Sequence, residues 1–442
     1  MEDLARYLFL DFVQMKGWLD DPLVIESGEG VYVTDVHGKR YLDGLSGIFV
    51  MNLGYGNREI AEAVAAQLMK LPFNPQMATN DRTLELVALL RDLVPEYTHF
   101  KFLSGGSEAT ESAMKIARQY HKQRGSPGKY KVISHYRGYH GGTGHALAAT
   151  GWAKWKTAFE PLSAGFVHVH TPDPYRPPFP VAREKLGEAF AALVEETVRL
   201  EGPDTVAAII CEPVLMSAGV VVPPDDYLPR LRAIADRHNL LLIGDEVITG
   251  FGRTGTLFCS EQYGVWPDIL CCGKGMSGGY APLAAVLLKE RVAAAFWGDP
   301  EALVQYHAGH TFAGNPVACA AGVAAITQLT RGGVLERSVP VGQHLRRQLH
   351  TVAARHPFVG DVRGRGMLLG IELVRDRETK ERFPDEVAFG NSVANAARKR
   401  GLLLRASPWF VAIGPPLTTS VAEADDLCAI LDDSLREVSA QV

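Results

Sequence analysis

The chain lacks the features that mark disulfide scaffolds, nucleic-acid binders and membrane proteins. Its 442 residues include only 6 cysteines, too few for a disulfide framework in a chain of this length. The 45 Lys and Arg residues are outnumbered by 50 Asp and Glu, so the net charge of -5 provides no basic surface for nucleic acid. No apolar run reaches the roughly 18 residues that a transmembrane helix needs. We therefore expect a soluble, cytoplasmic protein without nucleic-acid or membrane partners.

The N-terminal segment lacks the basic stretch and the small-residue cleavage site of a signal peptide. Its apolar residues Leu4, Leu8, Phe12 and Met15 recur at helical spacing. This spacing predicts an amphipathic helix that docks on the rest of the fold.

The sequence also lacks a set of metal ligands. Cys271 and Cys272 are adjacent, and no C-x-x-C pair occurs. His168 and His170 would share one face of a strand, but no third ligand stands near them in the sequence. We expect ordinary strand histidines here and no metal site.

Apolar runs of strand length alternate with helical stretches from about residue 80 onward. The clearest runs are Phe100–Leu103, Lys131–Ser134, Val206–Cys211, Leu240–Gly244 and Ile269–Cys271. Strands that alternate with helices predict an α/β fold, with a mostly parallel sheet covered by helices on both faces.

The chain is longer than one typical domain, so we predict two. A large domain is expected over residues 61–330, and a small α+β domain is expected from residues 1–60 together with 331–442. Residues 30–43 predict a hairpin within the N-terminal part.

Shorter patterns predict the details of the second half. Residues 171–180 are rich in proline and predict a surface loop. Residues 364–373 predict a turn and a strand, residues 385–400 a helix, and residues 402–405 a final strand.

Three apolar runs end on a charged residue: Glu212, Asp245 and Lys274. In open parallel sheets, ligands bind beyond the carboxyl ends of the strands, so these side chains are expected to share one crevice. One such acid alone would indicate only a solvated loop. A carboxylate and an amine together suit pyridoxal phosphate, because the lysine bonds its aldehyde carbon and the carboxylate keeps its ring nitrogen protonated.

A glycine-rich turn, Ser104-Gly105-Gly106-Ser107, follows the apolar run Phe100–Leu103. It leads into a predicted helix from Ala109 to about His121. Glycines before a helix N terminus let backbone N–H groups approach an anion such as a phosphate. Such a turn is also a common plain connection. The glycines of residues 364–370 lead into a strand and are interpreted in that way.

These motifs, in this order, resemble those of the class III pyridoxal-phosphate aminotransferases, which share fold type I with aspartate aminotransferase. The resemblance runs from about Gly30 to about Leu417. It implies that Gly106 and Ser107 hold the cofactor phosphate. It also implies that Thr311 reaches the phosphate of a neighbouring subunit, in a homodimer with shared active sites or a tetramer of such dimers.

The resemblance implies further roles around the cofactor ring. Tyr139 would stack on one face of the pyridine ring, and Val247 would pack on the other. Asp245 would bond the ring nitrogen, with His140 supporting Asp245, and Lys274 matches the Schiff-base lysine.

The resemblance extends to the substrate pocket. Arg405 stands where ω-aminotransferases that use pyruvate carry a mobile arginine for the keto-acid carboxylate; an arginine that caps a strand end is the other interpretation. Phe49 falls where those enzymes carry a bulky aromatic that lines the pocket. Glu212 belongs to the cofactor site, although Leu215 replaces the amide that commonly follows it. No second arginine is evident that would bind the distal carboxylate of 2-oxoglutarate, and this favours pyruvate as the acceptor.

The sequence therefore predicts a pyridoxal-phosphate aminotransferase with two half-reactions, in a ping-pong mechanism. It would move an amino group from an amine or ω-amino acid to a keto acid, pyruvate being favoured. The alternatives are a 2-oxoglutarate-dependent class III aminotransferase and a decarboxylating or isomerising relative, such as a dialkylglycine decarboxylase, an aminomutase or a racemase. A non-catalytic binding protein is disfavoured because Lys274 and Asp245 are present.

Overall fold

The computed structural model describes residues 2–75, 77–302 and 304–441, without the side chains of Glu2 and Asp3. The strands are β1 (Ile25–Glu29), β2 (Tyr32–Asp35), β3 (Arg40–Asp43), β4 (His99–Leu103), β5 (Lys131–His135), β6 (Phe166–Val169), β7 (Val206–Cys211), β8 (Leu241–Asp245), β9 (Ile269–Cys272), β10 (Ala284–Leu288), β11 (Val359–Arg365), β12 (Leu368–Leu373), β13 (Leu402–Leu403), β14 (Arg405–Ser407) and β15 (Phe410–Ile413).

The α-helices range from single turns to 22 residues. They are α1 (Glu2–Ala5), α2 (Met15–Trp18), α3 (Ser46–Phe49), α4 (Arg58–Lys70), α5 (Asp81–Leu93), α6 (Gly106–Gln123), α7 (Gly144–Ala149), α8 (Ala153–Lys156), α9 (Leu186–Glu201), α10 (Tyr227–Arg237), α11 (Ser260–Tyr263), α12 (Glu290–Ala293), α13 (Pro316–Thr330), α14 (Val334–Arg355), α15 (Phe389–Lys399) and α16 (Val421–Ser439).

The largest sheet has seven strands in the order β4-β10-β9-β8-β7-β5-β6. Strands β6, β5, β7, β8 and β9 are parallel to one another, and β10 runs antiparallel to both β4 and β9. The predicted mostly parallel α/β sheet is therefore confirmed. The antiparallel strand β10 is an addition that the sequence patterns did not indicate.

Helices cover both faces of this sheet, because alternate residues of a strand point to opposite sides. In β7, Ala208 and Ile210 belong to the core that packs under α6, whereas Ile209 and Cys211 belong to the core under α9 and α10. Every residue of β7 is buried. This two-sided burial explains why the strand reads as one continuous apolar run.

Two four-stranded sheets lie outside the large one, in the orders β1-β2-β3-β13 and β11-β12-β15-β14. The predicted hairpin is formed by β2 and β3, and β13 from the C-terminal part pairs in parallel with β3. The predicted turn and strand within 364–373 and the helix within 385–400 also form. The division of the chain near residues 60 and 330 stays a prediction.

The predicted amphipathic helix at the N terminus is wrong. The segment forms two separate four-residue helices, α1 and α2, and Leu4, Leu8 and Phe12 are 65%, 53% and 71% exposed. A helical apolar pattern stabilises a helix mainly by packing against other elements. These side chains have no such burial within the described chain, and Phe12 adopts a positive φ of 58°.

The proline-rich segment 171–180 forms neither helix nor strand, as predicted for a loop. It is not wholly a surface loop, because Thr171, Pro172 and Asp173 are buried. Asp173 accepts a hydrogen bond from Nη2 of Arg137 at 3.0 Å, which compensates for the burial of its charge.

Within the described ranges, no single helix is long and apolar enough to cross a membrane. The bent pair α13 and α14, whose axes meet at 62°, passes the same test of length and composition when taken together.

Candidate active site

A cavity of about 140 Å³ opens at the carboxyl ends of the parallel strands. Strands β7, β8 and β9 end beside it and deliver Glu212, Asp245 and Lys274 to its wall. The three strand-end charges that the sequence singled out are therefore brought together in one place. The cavity is lined by Gly106, Ser107, Tyr139, His140, Gly141, Glu212, Val214, Asp245, Val247, Ile248, Thr249 and Lys274.

Asp245 is held by two donors. Its Oδ2 lies 2.8 Å from Nδ1 of His140, and its Oδ1 accepts the backbone N–H of Val247 at 3.2 Å. Burial alone would lower the pKa of His140, but the hydrogen bond and the charge of Asp245, with the charge of Glu212, outweigh it and raise that pKa. The contact with Asp245 therefore favours the protonated form of the His140 imidazole.

Glu212 is buried at the end of β7, and its Oε1 accepts the backbone N–H of Tyr139 at 2.9 Å. Burial raises the pKa of Glu212 to about 8, with Asp245 adding to the rise, while His140, this hydrogen bond and Lys274 act against it. A carboxyl with such a pKa can carry a proton at neutral pH, unlike an exposed one.

Lys274 opens the turn after β9 with a positive φ of 46°. Its pKa is lowered chiefly by burial and further by the charge of Arg405, while Asp245 and Glu212 act in the opposite direction. A lowered pKa increases the fraction of neutral amine, which is the nucleophilic form. Such a left-handed conformation in a non-glycine residue is uncommon, and it is frequent at functional sites.

The N terminus of α6 forms another part of the cavity wall, through Gly106 and Ser107. The helix begins at Gly106 after Gly105, which has no side chain to cap it. A Cβ atom at Gly106 would lie 2.8 Å from Cγ1 of Val247, so only glycine leaves space there. The Ser107 hydroxyl accepts the backbone N–H of Gly142 at 3.2 Å, which fixes it beside the helix start. This end suits an anion.

The side wall is aromatic. The Tyr139 ring meets the Trp155 ring edge-on, with centroids 5.3 Å apart and planes at 85°. Burial raises the pKa of the Tyr139 hydroxyl, Arg405 lowers it, and Asp11 and Asp245 raise it. Arg405 is half-buried in β14 and, within the described residues, its side chain forms neither an ion pair nor a hydrogen bond.

Phe49 does not line the cavity, contrary to the sequence-based prediction. It is 1% exposed and packs in a hydrophobic core that includes Leu368 and Ala412. A Cβ atom at Gly414 would lie 2.6 Å from its ring, so the ring and this glycine are in tight contact. The turn that carries Phe49 is wound with positive φ at Ser46 and at Phe49 itself, which a sequence pattern does not reveal.

Thr311 also lies outside the cavity of its own chain. It is exposed, one residue after His310, whose Nδ1 is 3.7 Å from Oε1 of Glu108 in α6. The other sequence-predicted cofactor residues all line the cavity.

Four lining residues, Gly141, Val214, Ile248 and Thr249, were not singled out in the sequence. Gly141 completes the Tyr-His-Gly motif and adopts a positive φ of 134°. Ile248 and Thr249 follow Val247 in the loop after β8, and the Thr249 hydroxyl donates to Oε2 of Glu246 at 2.9 Å. The sequence offered one signal for three of them: Gly141 directly follows His140, and Ile248 and Thr249 directly follow Val247.

Residues 16–435 match the family model of the class III aminotransferases. The chain belongs to this family. The match covers nearly the whole chain, and the cavity holds the lysine, the strand-end carboxylate and the glycine turn that the family resemblance predicted.

Similar proteins agree with this family. A thermostable (S)-enantioselective ω-transaminase from Thermomicrobium roseum has a TM-score of 0.94 at 40% identity, covering 99% of this chain and 97% of that one. An amine transaminase from an uncultivated Pseudomonas species, solved in its PLP-bound form, has a TM-score of 0.94 at 35% identity, over 97% and 98% of the chains. A taurine–pyruvate aminotransferase from Bilophila wadsworthia is 35% identical over 98% of this chain and 96% of its own.

Proposed function

We propose that this class III aminotransferase transfers an amino group from an amine or ω-amino acid to pyruvate through two half-reactions. The observation that carries the proposal is the half-buried Arg405, which forms no ion pair with a carboxylate of the described chain. Its charge lowers the pKa values of Tyr139 and Lys274, which line the cavity. A guanidinium in this setting can bind the carboxylate of a keto acid.

The family implies pyridoxal phosphate, and the residues present fit it. The phosphate suits the N terminus of α6 with Gly106 and Ser107, because Val247 leaves room there only for a residue without a side chain. Tyr139 and Val247 would flank the ring. Asp245 would hold the ring nitrogen, with His140 orienting its carboxylate. When bound, the cofactor draws electrons away from the substrate's reacting carbon.

Lys274 would act on the substrate proton. Its lowered pKa increases the fraction of neutral Nζ, the form that can accept a proton from the carbon that bears the amine. It would deliver that proton to the bound cofactor within the same half-reaction, and it would carry a proton in the opposite direction, to the carbon of the keto acid, in the second one. Glu212, with a pKa raised to about 8, would remain close to neutral and limit the negative charge beside Asp245.

Arg405 would select the acceptor. Its side chain can bind the pyruvate carboxylate and withdraw when an apolar amine occupies the same place. Within the described residues it has no ion pair to break before moving. The taurine–pyruvate aminotransferase named above uses pyruvate according to its name, which supports the same acceptor here.

The assembly and the location are further parts of the proposal. We propose a homodimer in the cytoplasm, with exposed Thr311 reaching the phosphate site of the partner subunit. We also propose a large cofactor-binding domain over residues 61–330 and a small domain from 1–60 and 331–442.

The proposal is tested by product analysis. The purified protein with pyridoxal phosphate, 1-phenylethylamine and pyruvate should yield alanine and acetophenone in equal amounts. If product formed only with 2-oxoglutarate, the acceptor would be 2-oxoglutarate rather than pyruvate. Release of carbon dioxide, or conversion of an amino acid without any acceptor, would instead favour a decarboxylating or isomerising enzyme.

A further inference from the structure

A cluster of aromatic rings continues outward from the cavity. Trp155 contacts Tyr139 of the cavity wall at 5.3 Å between centroids, Trp152 at 5.6 Å, and Phe12 of the N-terminal segment at 5.6 Å. We call Tyr139, Trp152, Trp155 and Phe12 the aromatic shelf. Since Tyr139 lines the cavity and Phe12 is exposed, the shelf extends from the cavity to the solvent.

Lys154 places its ammonium on this shelf. Its Nζ lies 4.8 Å from the ring centroid of Trp152 and 5.3 Å from that of Trp155. Contacts with aromatic faces hold a cation in place but leave its charge uncompensated. Within the described chain, the Lys154 side chain forms no ion pair and no hydrogen bond, so this charge remains available to an anion.

Lys154 and Arg405 influence each other electrostatically. Burial against the rings lowers the pKa of Lys154, the charge of Arg405 lowers it further, and Asp385 acts in the opposite direction. The charge of Arg405 also lowers the pKa values of Tyr139 and Lys274, two residues of the cavity wall. Lys154 and Arg405 are thus two neighbouring cations, neither of which has an ion pair in the described chain.

We propose that Lys154 is a specificity-determining residue that binds a terminal carboxylate or sulfonate of the amine donor. This inference rests on the proposed function, because it assumes an amine that reacts at Lys274. Lys154 contacts the Trp155 ring, which in turn contacts Tyr139 of the cavity wall, each at 5.3 Å from the Trp155 centroid, so an anion next to the amine would not reach Lys154. An anion at the far end of a short chain, as in an ω-amino acid, would.

The test compares two donors of equal chain length, 4-aminobutyrate and butylamine, which differ in the terminal carboxylate. The holoenzyme is mixed with each donor, and the loss of the cofactor's visible absorbance gives kcat/KM for the first half-reaction, without any keto acid. The variants are Lys154→Met, Lys154→Arg and, as a matched control of equal charge change, Lys122→Met. Lys122 is exposed near the end of α6.

Lys154→Met should reduce the ratio of kcat/KM for 4-aminobutyrate over butylamine by about fivefold, the scale of one partly exposed ion pair. Lys154→Arg and Lys122→Met should keep the ratio of the wild type. Added salt should lower the ratio in the wild type more than in Lys154→Met, because salt screens exposed charges.

Other outcomes overturn the inference. The inference is wrong if butylamine still reacts and the ratio of kcat/KM for 4-aminobutyrate over butylamine is unchanged in Lys154→Met. It is also wrong if this ratio falls equally in Lys122→Met. Steady-state kinetics with pyruvate varied is a second measurement, and an effect of Lys154→Met confined to the KM for pyruvate would assign Lys154 to the acceptor instead. If 1-phenylethylamine reacts with the wild type but neither of these donors does, the inference alone fails; if none of the three amines reacts, the proposed function fails as well.

Discussion

Nδ1 of His140 and Oδ2 of Asp245 are 2.8 Å apart, and both side chains are buried. The two residues are 105 positions apart in the chain, on the segments that follow β5 and end β8. This contact fixes the carboxylate that the account assigns to the cofactor ring nitrogen. In the proposed function, His140 would therefore be a positioning residue that acts through Asp245.

Replacement of His140 by Leu should weaken binding of pyridoxal phosphate about 30-fold, because a hydrogen bond to a buried charge contributes about 2 kcal/mol. His140→Asn is the conservative control, since its amide can place a donor near the position of Nδ1. Titration of the cofactor-free protein, followed by fluorescence quenching, gives the two dissociation constants. Equal losses in both variants would contradict the positioning role.

Replacement of Arg405 by Met should raise the KM for pyruvate by roughly tenfold to a hundredfold, because a charge-assisted contact to the carboxylate is lost. The kcat/KM for 1-phenylethylamine should change less than about threefold. Steady-state kinetics with each substrate varied in turn separates the two effects. Equal losses for donor and acceptor, together with lower stability, would make Arg405 a structural residue of β14.

Glu212 should make stability depend on pH in the cofactor-free protein. Its pKa is raised from 4.5 to about 8 in the folded state, so folding takes up a proton and the folded state loses stability as pH rises between these values. Glu212→Gln removes this loss. Relative to the wild type, its unfolding free energy should improve by roughly 3 kcal/mol between pH 5.5 and pH 8.

Urea unfolding at the two pH values measures this difference. The control is Glu386→Gln, because Glu386 is exposed. The burial argument fails if the stability difference between Glu212→Gln and the wild type is the same at both pH values.

Arg253 is a fully buried cation with neutral partners. Its Nη2 donates to Oδ1 of Asn52 at 2.5 Å and to Oγ of Ser46 at 2.8 Å, and its Nη1 donates to the carbonyl of Pro415 at 2.6 Å. Burial lowers its pKa to about 9, with Asp43 acting against the shift. The side chain thereby joins the loop after β8 to the N-terminal turn and to the C-terminal part of the chain.

Arg253→Met should lower the unfolding free energy by about 3 kcal/mol, because three buried acceptors lose their donor. Arg331→Met is the matched control, since Arg331 is 64% exposed and its ion pair is with exposed Asp92. Its effect should be about 0.5 kcal/mol or less. Similar losses in both variants would show that the buried contacts of Arg253 add little.

Buried strands were the most predictable part of the fold. The run Val206–Cys211 forms β7 with the same ends as predicted, because both faces of the strand are covered and every position must be apolar. The N-terminal pattern failed for the converse reason. Leu4, Leu8 and Phe12 keep helical spacing, but no element of the described chain buries them.

The candidate site divides in the same way. Residues on strand ends, such as Asp245 and Lys274, were predictable because sheet geometry brings the ends of parallel strands together. Phe49 was not, since its direction is set by a turn with positive φ. Lys154 and Trp155 were not recognised either. Their connection to the cavity depends on the contact of the Trp155 ring with Tyr139, which the sequence pattern does not show.

The most direct test of the central claim is a spectral titration of the holoenzyme. The visible absorbance of bound pyridoxal phosphate should fall when 1-phenylethylamine is added and return when pyruvate follows. Lys274→Ala should show neither change at a catalytic rate, because the residue that bonds the cofactor and moves the proton is absent. A wild-type spectrum that the amine leaves unchanged, or that pyruvate does not restore, would contradict an amine:pyruvate aminotransferase.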